Sequence, residues 1–244
     1  MEQIYTIPIN ETFELCIDDP SCGCPLCRLH RQLEENELDR ILGAALMEPD
    51  VRIETNRQGF CRTHYDMMFQ RKNRLGMALT LESHLHELQD QISDTLLSSG
   101  GKRAVKRIGE LEQNCYVCNR ISRHWNNMME TVVLLWDRDE NFPEKLKKQP
   151  YFCLPHYKAL LEYAQRRLGK KLSAFVKDCE SVEKPYLDKL CEDISWFCKK
   201  FDYRYADEPW NDAKDAIERS IRFLRSDLHA KPGEFKPGDS GGLR

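Results

Sequence analysis

A cysteine–histidine pattern that occurs twice constrains this chain more than any other feature. Each copy has a Cys-x-x-Cys pair followed, after 33 or 34 residues, by a Cys-x-x-His pair. In both copies an aromatic residue precedes the third cysteine and a tyrosine follows the histidine. We interpret the pattern as an internal duplication. Copy 1 contains Cys24, Cys27, Cys61 and His64, and copy 2 contains Cys115, Cys118, Cys153 and His156.

Four nitrogen and sulfur donors in each copy predict a metal site. Three thiolates and a neutral imidazole suit tetrahedral zinc, and four protein ligands are typical of a structural site. Two ligands three residues apart lie on one face of a first helical turn, so each pair can point at one ion. We therefore expect one Cys3His zinc site in each copy, two ions in all, with the intervening loop bringing two helix starts together.

Two other chemistries compete with zinc. An iron–sulfur cluster also takes cysteine ligands, but neither copy has the run of closely spaced cysteines found in ferredoxins. A redox dithiol of the thioredoxin kind needs a βαβ context, and it leaves the Cys-x-x-His pairs without a role. Zinc is therefore the expected cofactor, and the iron–sulfur cluster and the dithiol are disfavoured.

The compartment bears on how the 11 cysteines are interpreted. Segment 1–12 carries no Lys or Arg and lacks the basic and apolar regions of a signal peptide. No apolar run approaches the roughly 18 residues of a membrane span. We expect a cytoplasmic protein without a membrane segment, in which reduced, closely spaced cysteines bind metal rather than form disulfides.

The hydrophobic periodicity is helical along the whole chain. Only segment 5–9 hints at extended chain. We expect an all-α fold in which two repeated, metal-stapled helical hairpins are followed by C-terminal helices. In each hairpin one helix should begin after Cys-x-x-Cys and a longer one at Cys-x-x-His. The segments with apolar residues at helical intervals are 29–47, 65–97, 157–176, 187–201 and 213–228.

The repeat also predicts how the chain is divided. The sequence Ser-Ser-Gly-Gly at 98–101 separates the two copies and is typical of a flexible break. We expect a first repeat at 1–100 and a second repeat with the C-terminal helices at 101–230. The remainder, 231–244, has almost nothing to bury and is expected to be a disordered tail.

Copy 1 contains a spare thiol. Cys22 lies two residues before Cys24 and could replace it as a ligand or remain a reactive thiol. Copy 1 has glycines near its motifs where copy 2 has aromatic residues, so its sulfurs are expected to be less shielded. We therefore expect oxidation to begin in copy 1, with Cys22 as the resolving thiol.

The other cysteines and histidines are interpreted as ordinary structural residues. Cys191 and Cys198 fall in an apolar helical stripe, and we expect them and Cys179 to be buried as small hydrophobic residues. Cys16 has no counterpart in copy 2 and is not expected to bind metal. His30, His84, His86 and His124 are likewise given no metal role.

Basic clusters raise the question of nucleic-acid binding. The net charge of −3 argues against a nonspecific nucleic-acid binder, which usually has a basic balance. We favour solvated helix faces balanced by acidic residues, with a phosphate-binding surface as the alternative. The clusters are Arg71, Lys72 and Arg74; Lys102, Arg103, Lys106 and Arg107; and Arg166, Arg167, Lys170 and Lys171.

The doubled pattern resembles that of an uncharacterised bacterial family, a domain of unknown function, over most of the chain up to about residue 228. The resemblance implies neither a reaction nor a partner. From the residues we expect a zinc-binding helical protein that binds another protein and is not an enzyme. The alternatives are a nucleic-acid-binding regulator and a thiol redox sensor that releases metal on oxidation.

Overall fold

The computed structural model describes residues 3–98 and 101–228, and for residue 3 and for 93–98 it describes the backbone alone. These residues form eleven α-helices and no strand, which confirms the predicted all-α class. None of the helices in this part of the chain is long and apolar enough to cross a membrane. The helices are α1 (Gln3–Asp18), α2 (Pro25–Leu42), α3 (Pro49–Gln58), α4 (Arg62–Gln70), α5 (Arg74–Ser98), α6 (Lys102–Gln113), α7 (Tyr116–Arg138), α8 (Phe142–Lys147), α9 (Leu154–Arg167), α10 (Leu172–Lys199) and α11 (Ala216–Arg225).

The chain forms two compact units. The terminal unit comprises Met1–Arg31 and Asn127–Arg244, and the central unit comprises Gln32–Asn126. Each unit therefore contains part of copy 1 and part of copy 2. Of the break expected at 98–101, residues 99–100 lie outside the described residues, and so does the tail expected at 231–244.

Segment 5–9 belongs to α1, so the hint of extended chain was wrong. An extended chain would place Tyr5, Ile7 and Ile9 on one face, because side chains alternate along a strand. Instead α1 buries Tyr5, Ile9 and Phe13 at four-residue intervals and leaves Ile7 64% exposed. The apolar residues of this segment follow the helical period.

Aromatic side chains dominate the core of the terminal unit. Phe13 of α1 packs against Phe142 and Phe152, with ring centroids 5.0 Å and 6.4 Å away. Trp136 of α7 meets Phe175 of α10 edge-on at 5.1 Å. Phe152 directly precedes a Cys-x-x-His pair, so this core fixes the chain where that pair begins.

The core of the central unit surrounds the other Cys-x-x-His pair. Phe60, directly before that pair, packs edge-on against Tyr65 at 5.4 Å and against Tyr116 at 6.4 Å. Packing therefore holds the starts of α4 and α7 in the same core. The buried residues of this cluster are Leu38, Ile41, Leu42, Phe60, Met68, Met77, Cys115, Tyr116, Val117 and Ile121.

The helix expected at 65–97 is divided in two. α5 starts anew at Arg74 because the Asn73 Oδ1 accepts a hydrogen bond of 2.8 Å from the Gly76 N–H, which caps the helix. The Nδ2 of Asn73 donates to the Leu42 carbonyl. In both copies the helix that begins at Cys-x-x-Cys (α2, α7) is longer than the helix that begins at Cys-x-x-His (α4, α9). The expected order of helix lengths was wrong.

The three cysteines of α10 differ in burial. Cys179 is buried as predicted, whereas Cys191 and Cys198 are exposed, so their predicted burial was wrong. The second half of α10 buries Leu190 and Asp193. Cys191 follows Leu190 by one residue, about 100° around the helix, and therefore points away from the core.

Candidate metal centres

Cysteine and histidine side chains come together in two groups, one in each unit. In each group three sulfurs and one imidazole nitrogen all lie within 4.8 Å of one another. The eight residues singled out in the sequence make up these groups, and Cys22 belongs to neither. Group 1, in the terminal unit, is Cys24, Cys27, Cys153 and His156; group 2, in the central unit, is Cys61, His64, Cys115 and Cys118.

The ligand pairs are exchanged between the copies. Group 1 joins the Cys-x-x-Cys of copy 1 to the Cys-x-x-His of copy 2, and group 2 has the reverse combination. The expectation that each copy closes its own site was therefore wrong in its pairing, although the residues are the expected ones. The two copies have nearly the same motif spacing, so the spacing cannot distinguish one combination from the other.

Group 1 has the dimensions of a tetrahedral site. The Nδ1 of His156 lies 3.6 Å from the Cys24 sulfur, 3.4 Å from that of Cys27 and 3.2 Å from that of Cys153. The Cys27 and Cys153 sulfurs are 3.6 Å apart. Bond lengths of about 2.3 Å for Zn–S and about 2.0 Å for Zn–N put tetrahedral donors roughly 3.5–3.8 Å apart. The donors of group 1 therefore fit around a single ion.

Group 2 has nearly the same dimensions. The Nδ1 of His64 lies 3.2 Å from the sulfurs of Cys61 and Cys115 and 3.4 Å from that of Cys118. The Cys61 and Cys118 sulfurs are 3.9 Å apart. A backbone hydrogen bond of 2.9 Å from the Tyr116 N–H to the Gly59 carbonyl joins the two segments that carry these ligands.

Each Cys-x-x-His pair is built on the first turn of a helix. Cys61 and Cys153 are N-cap residues with extended backbone, and His64 and His156 lie in the turn that follows. In both pairs the imidazole Nδ1 lies 3.2 Å from the sulfur of the N-cap cysteine. The free N–H groups of a helix start favour negative charge, so these positions suit thiolate ligands.

Glycines shape the approach to one pair of each group. Gly23 (φ +75°, ψ −142°) directly precedes the Cys-x-x-Cys pair of group 1. Gly59 (φ +62°, ψ −162°) lies two residues before the Cys-x-x-His pair of group 2. A Cβ atom would lie 3.0 Å from the Tyr151 hydroxyl at Gly23, and 3.0 Å from Leu111 Cδ2 at Gly59. This backbone region is nearly closed to other residues.

The two groups differ in exposure. All four side chains of group 1 are buried. In group 2, His64 and Cys115 are buried, Cys61 is half-buried and Cys118 is exposed. Two cysteines of group 2 are therefore partly accessible to solvent, and none of group 1 is.

Burial and hydrogen bonds between the sulfurs shift the pKa values of group 1. Burial raises the pKa of the Cys24 thiol well above its usual value, and it lowers the pKa of His156 to about 4, with His30 as a second cause. The hydrogen bond to Cys153 is the largest cause that raises the pKa of Cys27 to about 12. The histidine is thus a neutral donor, and metal binding would have to displace thiol protons.

In group 2, hydrogen bonds shift the pKa values of His64 and Cys115 in opposite directions. Burial lowers the pKa of His64, but hydrogen bonds to Cys115 and Glu34 outweigh it and raise that pKa to about 10. The hydrogen bond to Cys118 is the largest cause that lowers the pKa of Cys115 to about 3, and the same contact raises that of Cys118. A metal ion bound in group 2 would displace the protons that these thiols and the imidazole hold.

Glu34 is a site residue that the sequence did not reveal. Its Oε1 lies 3.4 Å from the Nε2 of His64, the ring nitrogen that faces away from the sulfurs. The position in copy 2 at the same distance after Cys-x-x-Cys is Trp125, so the repeat gives no signal for a carboxylate here.

Cys22 and His84 contact other residues of the protein and are not part of either metal group. Cys22 lies beside the buried Cys16, whose pKa is raised to about 12 by burial and then by Cys22. His84 is buried, with its Nδ1 2.9 Å from the Asn56 carbonyl oxygen. Neither cysteine nor this histidine belongs to a four-residue group among the described residues.

Several basic residues of the three clusters are engaged within the protein. Arg107 donates to the carbonyls of Asn56 and Arg57 near the end of α3, at 3.0 Å and 2.8 Å. Other members form ion pairs with carboxylates. These pairs support the interpretation of the basic clusters as helix faces balanced by acidic residues. These pairs are Arg71–Asp39, Lys106–Glu110, Arg167–Glu130 and Lys171–Asp137.

Fold and site together define an all-α protein with two Cys3His groups, each of which could hold a metal ion. Over residues 1–231 the chain matches the model of a family of unknown function, DUF6062, and it belongs to that family. The resemblance to an uncharacterised family is thus confirmed. No curated protein and no solved structure matches the chain.

Proposed function

We propose that this chain is a zinc-binding helical protein in which two structural Cys3His sites support a protein-interaction module. The observation that carries the metal assignment is the donor set, three sulfurs and one imidazole nitrogen at tetrahedral spacing in each group. Four protein donors leave no coordination position for water, and a catalytic zinc usually keeps one. The sites would therefore act on stability and not on a substrate.

The spacing of the donors supports zinc over an iron–sulfur cluster. All ligand atoms of a group lie within 4.8 Å of one another, so they surround one point. A cluster contains several iron and sulfide ions, and its cysteine ligands must stand further apart to enclose them. A single tetrahedral ion is the better match. Among the common divalent ions, zinc is the one that thiolate ligands favour.

The proposed ions would connect segments that are far apart in sequence. In group 1 the ion would bind the start of α2 to the start of α9, and in group 2 the start of α4 to the start of α7. Structural zinc can contribute on the order of 10 kcal/mol to folding. Loss of either ion should therefore loosen the unit that contains it.

Metal analysis tests the assignment. Protein purified without oxygen should contain two equivalents of zinc and no visible chromophore. Replacement of zinc by Co²⁺ should produce the intense visible bands of tetrahedral thiolate coordination, and their intensity should stop rising at two equivalents. Stoichiometric iron with a brown colour would contradict the proposal, and so would a Co²⁺ spectrum of octahedral type.

An exposed apolar stripe supports the interaction role. On α11 the residues Ile217, Ile221 and Leu224 recur at helical intervals and are 41%, 42% and 53% exposed, while Ala216 and Phe223 on the other side are buried. Apolar anchors at such intervals are typical of helix faces that bind a partner. The partner we propose is another protein.

Site-specific crosslinking tests this role. A photo-crosslinking side chain at Ile221 should form a defined protein adduct in cells, and the same side chain at Lys214, an exposed polar position nearby, should not. Equal adducts at both positions, or none at Ile221, would contradict the use of this stripe. An adduct with a second copy of the chain would identify self-association as its role.

A further inference from the structure

We propose that Cys61 and Cys118 form a peroxide-sensitive dithiol, so that the Cys3His centre of the central unit is an oxidation site and that of the terminal unit is not. The inference rests on the proposed function, because it assumes that both groups hold zinc. It adds a modification chemistry that a purely structural site does not have.

The geometry places these two sulfurs in position to react with each other. The Cys61 sulfur, at the N-cap of α4, lies 3.9 Å from the Cys118 sulfur in the first turn of α7. A disulfide bond is about 2.05 Å long, so the two atoms need to approach by only about 2 Å. Both cysteines begin helices, and a helix end moves more easily than its middle.

Exposure distinguishes this pair from its counterpart in group 1. Cys27 and Cys153 are even closer, with sulfurs 3.6 Å apart, but both are buried. Cys118 is exposed and Cys61 is half-buried. Oxidation of cysteine follows thiolate character and access. Because zinc would make all of these sulfurs thiolates, access decides which pair reacts.

The remaining thiols do not offer an equivalent pair. Cys22 is half-buried, but its neighbour Cys16 is fully buried and has a pKa raised to about 12. Cys191 and Cys198 are exposed, but they lie seven residues apart on α10, a rise of about 10 Å, and cannot reach each other. The first oxidation therefore falls on group 2, whereas the sequence predicted that oxidation begins in copy 1 with Cys22 as the resolving thiol.

The reaction can be written as two nucleophilic steps. The Cys118 thiolate attacks one oxygen of hydrogen peroxide, the O–O bond breaks, and a sulfenic acid and hydroxide result. The Cys61 thiolate then attacks the sulfenic sulfur, the S–O bond breaks, and a second hydroxide leaves. With two protons, two thiolates and one peroxide give one disulfide and two waters, and two electrons pass from sulfur to peroxide.

Zinc is not oxidised or reduced in these steps. After the disulfide forms, group 2 retains only His64 and Cys115 as donors, and two donors bind zinc far more weakly than four. The ion should therefore leave the central unit, while the terminal unit keeps its ion. Reduction of the disulfide by a thiol would restore the four donors and allow zinc to return.

The test uses the full chain loaded with two equivalents of zinc. A background with Cys22→Ser, Cys191→Ser and Cys198→Ser removes the non-ligand thiols that are not buried. Hydrogen peroxide is added, zinc release is followed with a chromogenic chelator, and disulfides are mapped by mass spectrometry. We expect the loss of one of the two zinc equivalents together with a Cys61–Cys118 disulfide. Equal release of both ions, or a first disulfide within group 1, would overturn the proposal.

A single substitution makes the test specific. Cys118→Ser in the same background removes the proposed attacking thiol and one donor of group 2, so the chain should keep one tightly bound zinc ion, in group 1. The same peroxide treatment should not release that ion, and its release would overturn the proposal. If this variant does not fold, the disulfide map of the background chain still decides. Protein that contains no zinc after anaerobic purification would contradict the proposed function. If the protein binds two zinc ions but peroxide does not release the group 2 ion before the group 1 ion, only the present inference is contradicted.

Discussion

The carboxylate of Glu34 lies beside the imidazole of His64, with 3.4 Å between Oε1 and Nε2, and both side chains are almost completely buried. In metal sites a carboxylate on the second ring nitrogen fixes the orientation of the histidine and strengthens it as a donor. Nδ1 of His64 faces the three sulfurs of group 2. Glu34 is therefore positioned to hold that nitrogen toward an ion.

Removal of this carboxylate should weaken one site selectively. We expect Glu34→Ala to lower the zinc affinity of group 2 by roughly 10–100-fold, a range typical of partners behind a metal ligand, and to leave group 1 unchanged. Competition with a chelator of known affinity measures both sites. Glu35→Ala, at the exposed next position of α2, is the control. An unchanged affinity for both ions would show that Glu34 does not orient His64.

Double substitutions should reveal which ligand pairs share an ion. Cys24→Ser with Cys153→Ser removes two donors of group 1 and should abolish one zinc equivalent. Cys24→Ser with Cys61→Ser removes one donor from each group and should weaken both sites. If each copy closed its own site, these two results would be interchanged. Elemental analysis after dialysis against a weak chelator distinguishes the two arrangements.

Glu183 should give the stability of the protein a pH dependence. Burial raises the pKa of this carboxyl from 4.5 to about 7, although a hydrogen bond of 2.8 Å from the Phe152 N–H favours the charged form. Because the folded-state pKa is the higher one, the favourable contribution is complete below about pH 4.5 and is lost as the pH rises through about 7. Its full size is on the order of 3 kcal/mol.

Glu183→Gln should remove this dependence. Glutamine imitates the protonated acid and still accepts from the Phe152 N–H, so the variant should be more stable than the wild type by about 1–3 kcal/mol at pH 8.5. The difference should shrink toward pH 5.5. Urea unfolding of the zinc-loaded protein across this range measures it, with the exposed Glu180→Gln as the control. Parallel pH profiles for wild type and variant would contradict the assignment.

Gly23 should be intolerant of a side chain. At φ +75° and ψ −142°, alanine is strained, and its Cβ would lie 3.0 Å from the Tyr151 hydroxyl. We expect Gly23→Ala to destabilise the protein by about 1–3 kcal/mol. Gly109→Ala in α6 meets no atom within 4 Å and should stabilise the protein by up to about 1 kcal/mol. Chemical denaturation of both variants provides the comparison, and equal stabilities would refute the strain argument.

The affinity for random duplex DNA should be low at physiological salt. The net charge is −3, and Arg71, Arg167 and Lys171 are already paired with carboxylates. Binding that depends on phosphate contacts needs free basic side chains and weakens steeply with salt. Fluorescence anisotropy measures it. A submicromolar dissociation constant with a steep salt dependence would favour the nucleic-acid-binding alternative.

The sequence was sufficient for the fold class and for the identity of the eight grouped residues. Helical periodicity and the repeated motifs involve residues close together in the sequence, so they can be recognised without the tertiary structure. Cys24 and Cys153 show where this information ends, because both copies offer equivalent half-sites and only the packing of the whole chain selects the partner. Glu34 was invisible for the same reason, since it approaches His64 through the tertiary fold.

The exposed cysteines show a second limit. Cys191 belongs to an apolar pattern of α10, but it is exposed, whereas the preceding residue, Leu190, is buried. The spacing of apolar residues in the sequence shows that a segment is helical. It is a poorer guide to which side of the helix is buried, because that side depends on the neighbours against which the helix packs.

The exchanged ligand pairs have a consequence for the origin of the chain. A protein with one copy would possess one Cys-x-x-Cys and one Cys-x-x-His, and in this geometry it could complete neither centre alone. Two such molecules could complete both by donating pairs to each other reciprocally, as in a twofold-symmetric homodimer, where residue i meets j and j meets i. Fusion of two such genes would preserve both centres in a single polypeptide and would leave the copies free to diverge, one toward a sealed centre and the other toward an accessible one.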